Sequence, residues 1–139
     1  MVEDGGLATP MERNKVQTEI AIVDDDANIR ASLARLLRAC SYSVQSYESA
    51  KEFLNSRSVR MPDCLIVDQH MEEMTGEELL RHLGQSGTRI PAVVLTGNDN
   101  RKIRERFQQA GAVTFLVKPV TPDQLLRAIA TALSTRVLH

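Results

Sequence analysis

The sequence predicts an α/β domain in which a five-stranded parallel sheet lies between two layers of helices. Two observations predict it: short apolar runs alternate five times with stretches of helical periodicity, and most of these runs lack polar alternation. Apolar runs without alternation are typical of strands buried on both faces, as in parallel sheets. The 139 residues have room for one such domain.

Five apolar runs supply the predicted strands. Residues 20–23, 64–67 and 92–95 are continuous apolar runs, as in buried central strands. Residues 42–47 alternate weakly, which is typical of an edge strand, and residues 113–117 form the last strand. Right-handed crossovers are expected between successive parallel strands.

Capping signals and apolar periodicity mark the helices. Capping boxes begin three of them, at Ser49–Glu52, Thr75–Glu78 and Thr121–Gln124. The first helix has a predicted apolar face that consists of Ile29, Leu33, Leu36, Leu37 and Cys40. Gly111 follows the fourth helix, where a residue free to adopt positive φ commonly ends a helix.

Composition and charge exclude several classes of protein. The chain is 42% hydrophobic and 25% charged, as in an ordinary soluble domain, and its net charge of −1 gives no reason to expect binding to nucleic acid or to a membrane. Its apolar runs are far shorter than the ~20 residues that cross a bilayer, and residues 1–17 lack a signal-peptide pattern. We expect a cytoplasmic protein with a flexible extension at 1–17 and one domain at 18–139.

The two cysteines lie in apolar segments. Cys40 ends the first helical pattern and Cys64 begins a buried strand. A disulfide between them is arithmetically possible, but the pattern favours two buried, reduced thiols.

Polar side chains follow four of the five strands. An acidic triplet at 24–26 follows the first strand, Asp68 the third, Thr96 the fourth and Lys118 the fifth. Parallel strands bring their carboxyl ends to one edge of the sheet. Like charges ~4 Å apart repel by about 4 kcal/mol at an effective dielectric near 20. The cluster therefore needs raised pKa values or a cation, and its oxygen ligands suit Mg²⁺ or Mn²⁺.

The same residues suit phosphoryl transfer. A carboxylate such as Asp68 can attack phosphorus and form an acyl phosphate. Lys118 and a metal ion would stabilise the equatorial oxygens of the phosphoryl group, and the Thr96 hydroxyl would donate to one of them. Positioning and charge stabilisation are most of what this reaction requires.

Four segments of the chain resemble the signature blocks of response-regulator receiver domains: IVDDDANIR, CLIVDQHMEEMTGEEL, VVLTG and AGAVTFLVKPV. They occur in the family's order and cover residues 19–135. The resemblance implies a flavodoxin-like (CheY-like) three-layer fold with strand order 2-1-3-4-5. The acceptor loop and the VLTG segment look most similar to regulators of the nitrogen-fixation and nitrate-response type.

The resemblance also implies the roles of individual residues. The implied ligands of a Mg²⁺ (or Mn²⁺) ion are Asp24, Asp25, Asp68 and the backbone carbonyl of His70. The implied phosphoryl-handling residues are the acceptor Asp68, the hydroxyl of Thr96 and the ammonium group of Lys118. Thr96 and Phe115 are the implied switch pair, and the Lys118–Pro119 peptide bond is expected to be cis.

Three positions depart from the family pattern or vary within it. Glu72 stands where the family usually has a proline, four residues after the acceptor. His70 and Asn98 occupy variable positions that tune the hydrolysis of the acyl phosphate. A non-typical dephosphorylation rate is expected, and its direction stays open.

The resemblance implies a signalling switch and not a turnover enzyme. A histidine kinase or phosphotransfer protein donates the phosphoryl group, and the face formed by the fourth helix, fifth strand and fifth helix then changes its affinity for a downstream target or output domain. That face is also where a phosphorylation-dependent homodimer would form. Neither a membrane nor nucleic acid is expected to bind this domain directly. The chain is either a free-standing receiver or the first domain of a longer transcription regulator.

Two alternatives stay open at this point. A phosphatase of the haloacid-dehalogenase type would use Asp24 as its nucleophile and Asp26 as its acid/base, and a metal-independent pseudo-receiver would only dock partners. His82 and the basic residues at 101–106 are interpreted as solvated surface.

Overall fold

The computed structural model describes residues 17–56 and 61–137. Within these residues, five strands alternate with five helices. The strands are β1 (Glu19–Val23), β2 (Ser43–Tyr47), β3 (Cys64–Asp68), β4 (Ala92–Thr96) and β5 (Ala112–Val117). The helices are α1 (Ala27–Ala39), α2 (Ala50–Ser56), α3 (Gly76–Gln85), α4 (Arg101–Gln109) and α5 (Pro122–Val137). The expected extension lies outside the described residues except for residue 17.

All strand pairs in the sheet are parallel, and the strand order is β2-β1-β3-β4-β5. This order confirms the expected arrangement 2-1-3-4-5. Val23 of β1 pairs with Val67 of β3, and Asp68 pairs with Leu95 of β4. The carboxyl ends of these central strands therefore lie level with one another, which positions the residues that follow them at one edge.

The two faces of the sheet each carry a hydrophobic core. One face packs against α2, α3 and α4 through residues that include Phe53, Leu79, Leu83 and Phe107. The other face packs against α1 and α5 through residues that include Ala34, Leu37, Leu125 and Ile129. All five residues of β3 and of β4 are buried, as expected for strands covered on both sides.

The predicted helix starts are largely as expected. Thr75 and Glu78 form a complete capping box at α3. At α5, the Gln124 N–H donates to the Thr121 hydroxyl at 3.1 Å, and the Thr121 N–H donates to the Gln124 side chain at 3.0 Å. After α4, Gly111 adopts a φ of 109°, which confirms its place at the helix end.

The second helix differs from the expected capping box. The Glu52 N–H donates to the Ser49 hydroxyl at 3.0 Å, but the Glu52 carboxylate accepts from the N–H of Glu48 at 2.7 Å. The reciprocal bond therefore goes to the residue before Ser49.

The prediction of two buried thiols was wrong for Cys40. Cys64 is fully buried in β3, whereas Cys40 is exposed, and the two are not joined in a disulfide. Cys40 is the C-cap of α1, and Ser41, with a φ of 72°, turns the chain toward β2. The buried residues of α1 are Ala34 and Leu37. Cys40 is therefore not part of the face of α1 that packs against the sheet, although the apolar spacing had included it.

No helix within the described residues is both long enough and apolar enough to cross a lipid bilayer.

Candidate functional site

Three aspartates meet at the carboxyl edge of the sheet. Asp24 directly follows β1 and Asp68 ends the adjacent strand β3, while Asp25 comes from the turn after β1. One carboxylate oxygen from each lies within 4.8 Å of the other two. Asp24 and Asp68 are 1% and 5% exposed, whereas Asp25 is exposed. The sequence-predicted acidic residues are therefore brought together.

Hydrogen bonds to β2 and to α1 hold the backbone of Asp24 in place. Its N–H donates to the Tyr47 carbonyl of β2 at 3.1 Å, and its carbonyl accepts from the Arg30 guanidinium at 2.7 Å. Its Oδ1 accepts from the N–H of Asp26 at 2.9 Å, but its buried Oδ2 has no hydrogen-bond partner. Buried polar atoms are nearly always satisfied. A buried carboxylate oxygen without a hydrogen bond, within an all-oxygen cluster, fits a hard divalent cation such as Mg²⁺.

Lys118 supplies the positive charge at this edge. Its Nζ lies 2.9 Å from Asp68 Oδ1 and 3.6 Å from Asp24 Oδ2. Its backbone N–H donates to the carbonyl of Thr96 at 2.6 Å, and the Lys118–Pro119 peptide bond is cis, as expected. Lys118 contacts two of the three carboxylates, so the ionised cluster keeps a net negative charge that a divalent cation would offset.

Burial and charge shift the pKa values in this cluster. Burial raises the pKa of Asp24 and of Asp68, and the hydrogen bond from Lys118 only partly offsets this rise at Asp68. For Lys118, burial alone would lower the pKa. Its hydrogen bond to Asp68 and its attraction to both buried carboxylates outweigh burial, so the pKa of Lys118 is raised. The ammonium group therefore stays charged at neutral pH, and the carboxyl groups of Asp24 and Asp68 keep a proton to a higher pH than exposed aspartates do.

Thr96, the predicted switch hydroxyl, ends β4 and is fully buried. Its hydroxyl donates to the side-chain carbonyl oxygen of Gln69, and it also accepts from the N–H of Asn98 at 3.1 Å. Gln69 is not among the residues that the sequence predicted for the site. Asp68 pairs with Leu95, so Gln69, the first residue after β3, lies beside Thr96, the last residue of β4. The strand register is the signal that would have found this pair.

Phe115, the predicted switch aromatic, is half-buried on β5. Its ring centroid lies 6.0 Å from that of Phe107 on α4, and the Arg104 guanidinium lies 5.1 Å from the Phe115 ring centroid. Arg104 also forms an ion pair with Asp99 at 2.5 Å. The aromatic ring is therefore held between β5 and α4.

The predicted rate-tuning positions lie at the surface. His70 and Asn98 are exposed, as is Glu72, and none of these three belongs to the cluster of carboxylates within 4.8 Å. The next residue, Glu73, adopts a φ of 65°. This non-glycine positive φ shows how sharply the loop after Asp68 turns. His82 on α3 is exposed, as expected.

Asp26 serves the first helix. Its Oδ1 accepts from the N–H groups of Asn28 at 2.8 Å and Ile29 at 3.2 Å, which makes it the N-cap of α1. A carboxylate that caps a helix is tied to that helix. This contact weighs against the phosphatase alternative, in which Asp26 acts as the acid/base.

Gly76 allows α3 to begin close to β3, the strand that ends at Asp68. A Cβ atom at this position would lie 2.4 Å from the backbone oxygen of Asp68. The Gly76 N–H also donates to the Gln69 carbonyl at 3.2 Å. A larger residue would displace the backbone that carries Asp68.

A groove of about 580 Å³ lies at the opposite edge of the sheet. Its lining includes Leu83, Ile90 and Gly111, which lie at the end of α3 and just before β4 and β5. The acidic cluster lies at the carboxyl edge, so this groove and the cluster are separate features.

Fold and site together define a class of protein. A five-stranded parallel sheet in this order, with an acidic cluster and a lysine at its carboxyl edge, is the flavodoxin-like arrangement of CheY-like signalling domains. The chain belongs to the response regulator receiver domain family, whose model matches residues 20–130.

Individual relatives agree with this family. Response regulator protein TmoT of Ectopseudomonas mendocina is 36% identical over 120 residues, which cover 86% of this chain and 54% of TmoT. Transcriptional regulatory protein FixJ of Rhizobium meliloti is 35% identical over 113 residues, which cover 81% of this chain and 55% of FixJ. The chain therefore spans about half the length of these curated relatives.

Solved structures show the same fold. The crystal structure of FixJ-N superposes with a TM-score of 0.79 at 34% identity, and covers 85% of this chain and 94% of that one. A CheY-like receiver domain protein from Methanospirillum hungatei JF-1 gives a TM-score of 0.80 at 28% identity, with 86% and 96% covered.

Proposed function

We propose that this chain accepts a phosphoryl group on Asp68 from a histidine kinase or a phosphotransfer protein. The observation that carries the proposal is the contact of 2.9 Å between the Lys118 ammonium and the buried Asp68 carboxylate. Asp24 and Asp25 contribute carboxylate oxygens within 4.8 Å of the same group. A nucleophilic carboxylate, a fixed cation and further acidic ligands are the elements that phosphoryl transfer to aspartate requires.

In the proposed reaction, an oxygen of Asp68 attacks the phosphorus of a phosphohistidine on the donor. The new O–P bond forms as the P–N bond to the imidazole breaks, and the electron pair passes to the imidazole nitrogen. Lys118 then pairs with an oxygen of the bound phosphoryl group, and the Thr96 hydroxyl donates to another. These residues act by position and charge, which is how most phosphoryl-transfer sites work.

The donor set fits Mg²⁺ or Mn²⁺. The ion would be held by Asp24, Asp25, Asp68 and the backbone carbonyl of His70, and it would supply positive charge that offsets the phosphoryl oxygens. The buried Oδ2 of Asp24, which accepts no hydrogen bond and lies 3.6 Å from the Lys118 ammonium, supports this assignment.

The proposed output is a change in partner affinity. Phosphorylation adds about −2 charge and new acceptor oxygens at Asp68, which favours a conformer in which Thr96 and Phe115 have moved. Both residues contact the segment from Asn98 to α4. We therefore propose that α4, β5 and α5 form the surface that a downstream target, an output domain or a second copy reads in the cytoplasm. His70 and Asn98 are proposed to tune the lifetime of the acyl phosphate.

Labelling with acetyl phosphate and Mg²⁺ tests this function. Intact-mass spectrometry should show one added phosphoryl group on the unsubstituted chain and none on Asp68→Asn. Asp26→Asn is the matched control, because asparagine caps a helix about as well as aspartate and labelling should persist. Labelling of Asp68→Asn, or its loss in Asp26→Asn, would contradict the proposal.

A further inference from the structure

The Thr96 hydroxyl is already engaged in the structure. Thr96 is fully buried, and its hydroxyl donates to the side chain of Gln69, with the Asn98 carbonyl as a second acceptor at 3.2 Å. A hydroxyl has a single proton to donate. While that proton is shared with Gln69, it is withheld from a phosphoryl oxygen on Asp68.

The backbone of Gln69 is anchored on both sides. Its N–H donates to the Leu95 carbonyl of β4 at 2.8 Å, and its carbonyl accepts from the Gly76 N–H at 3.2 Å. Its side chain therefore starts from a fixed position between β3 and α3. The length of a glutamine side chain takes its amide to the hydroxyl on the neighbouring strand.

We infer that Gln69 is a positioning residue that holds Thr96 in the resting arrangement and so opposes the phosphorylated conformer. This inference rests on the proposed function. Two conformers differ in the partner of one hydroxyl: the Gln69 amide in the resting form and a phosphoryl oxygen in the signalling form. The apparent affinity for a phosphoryl group falls with the fraction of chains in the competent conformer. The strength of the Gln69–Thr96 hydrogen bond thereby sets how readily the domain switches.

Beryllofluoride with Mg²⁺ is the probe, because it mimics a phosphoryl group on aspartate without being consumed. The variant Gln69→Leu has a side chain of similar size that cannot accept a hydrogen bond. It should bind beryllofluoride about fivefold more tightly, the equivalent of about 1 kcal/mol for one net hydrogen bond. Fluorine NMR titration measures the dissociation constant.

The control is the same change in a chain without the hydroxyl. In the Thr96→Ala background, Gln69→Leu should alter the dissociation constant by less than about twofold, because the bond it removes is already absent. A purely structural effect of Gln69 would appear equally in both backgrounds. The amide NMR signal of Asn98, whose N–H donates to Thr96, gives a second readout. In Gln69→Leu without beryllofluoride, it should move toward its beryllofluoride-bound position.

The outcomes separate this inference from the function on which it rests. Tighter binding only when Thr96 is present, together with the Asn98 shift, supports the inference. Unchanged or weaker binding by Gln69→Leu, or an equal gain in both backgrounds, would overturn it while the proposed function stands. Failure of the unsubstituted chain to bind beryllofluoride would overturn the proposed function, and the inference with it.

Discussion

Replacing Asp24 by asparagine should stabilise the metal-free protein. At an effective dielectric near 20, the repulsion between Asp24 and Asp68 at the 4.8 Å limit of the cluster is about 3.5 kcal/mol. The attraction between Asp24 and Lys118 at 3.6 Å is about 4.6 kcal/mol on the same basis. These two nearly cancel, so the burial of a carboxylate that is 1% exposed decides the sign.

Burying an ion costs several kcal/mol after relaxation, and asparagine keeps the Oδ1 acceptor for the Asp26 N–H. We expect Asp24→Asn to raise the free energy of unfolding by about 2 kcal/mol, or the melting temperature by about 8 °C. The sign also depends on pH. The pKa of Asp24 is raised above its ordinary value of 3.8, so the folded state binds the proton more tightly than the unfolded chain. Metal-free stability is therefore lost as the pH rises from about 3.8 toward the raised pKa, and Asp24→Asn should weaken that loss.

Thermal unfolding in EDTA at several pH values measures the stability of the metal-free chain and its dependence on pH. The same measurement with excess Mg²⁺ gives the effect of the metal. Mg²⁺ binds the folded state and stabilises it by mass action, and the variant has lost one proposed ligand. The advantage of Asp24→Asn should therefore shrink or reverse with Mg²⁺. Asp26→Asn, an equivalent change at a helix cap, should alter stability by less than about 0.5 kcal/mol in both conditions. The reasoning is refuted if Asp24→Asn destabilises the metal-free chain, or if its effect is the same with and without Mg²⁺.

Three further predictions concern the support of the site and the core. Gly76→Ala should lower the rate of labelling by acetyl phosphate at least tenfold, because a Cβ there meets the Asp68 carbonyl at 2.4 Å. Gly84→Ala on the same helix, with open space around it, should leave the rate unchanged. Equal labelling rates for the two variants would contradict the close approach. Cys40 is exposed and Cys64 is buried, so a thiol reagent should modify Cys40 in the folded chain and Cys64 only on unfolding. Rapid modification of both thiols in the folded chain would contradict the burial of Cys64. Phe53→Ala removes a ring that is 1% exposed and should lower the free energy of unfolding by about 3–5 kcal/mol, as measured by urea denaturation; a loss below 1 kcal/mol would show that the ring is not core.

Apolar patterning predicted the alternation of strands and helices in a parallel sheet, and the resemblance to receiver domains implied the strand order that brings the acidic residues together. Once residues 20–23 and 64–67 are parallel neighbours, the side chains that follow them must meet at one edge. That geometry alone brings Asp24 near Asp68. Lys118 follows β5, which lies on the other side of β3 from β1. Its side chain reaches both aspartates from that side.

Other features depend on distances that a linear pattern does not contain. The Gln69–Thr96 bond requires the register between β3 and β4, and Gly76 matters only because α3 begins against the backbone of Asp68. The exposure of Cys40 depends on where α1 ends relative to the sheet, which helical periodicity specifies poorly near a terminus.

Mapping of the phosphorylated residue is the most direct test of the account. After treatment with acetyl phosphate and Mg²⁺, borohydride converts an aspartyl phosphate to homoserine, and peptide mass spectrometry then locates it. Homoserine is expected at position 68 alone. Homoserine at position 24, or a stable phosphoryl group on His70 or His82, would contradict it.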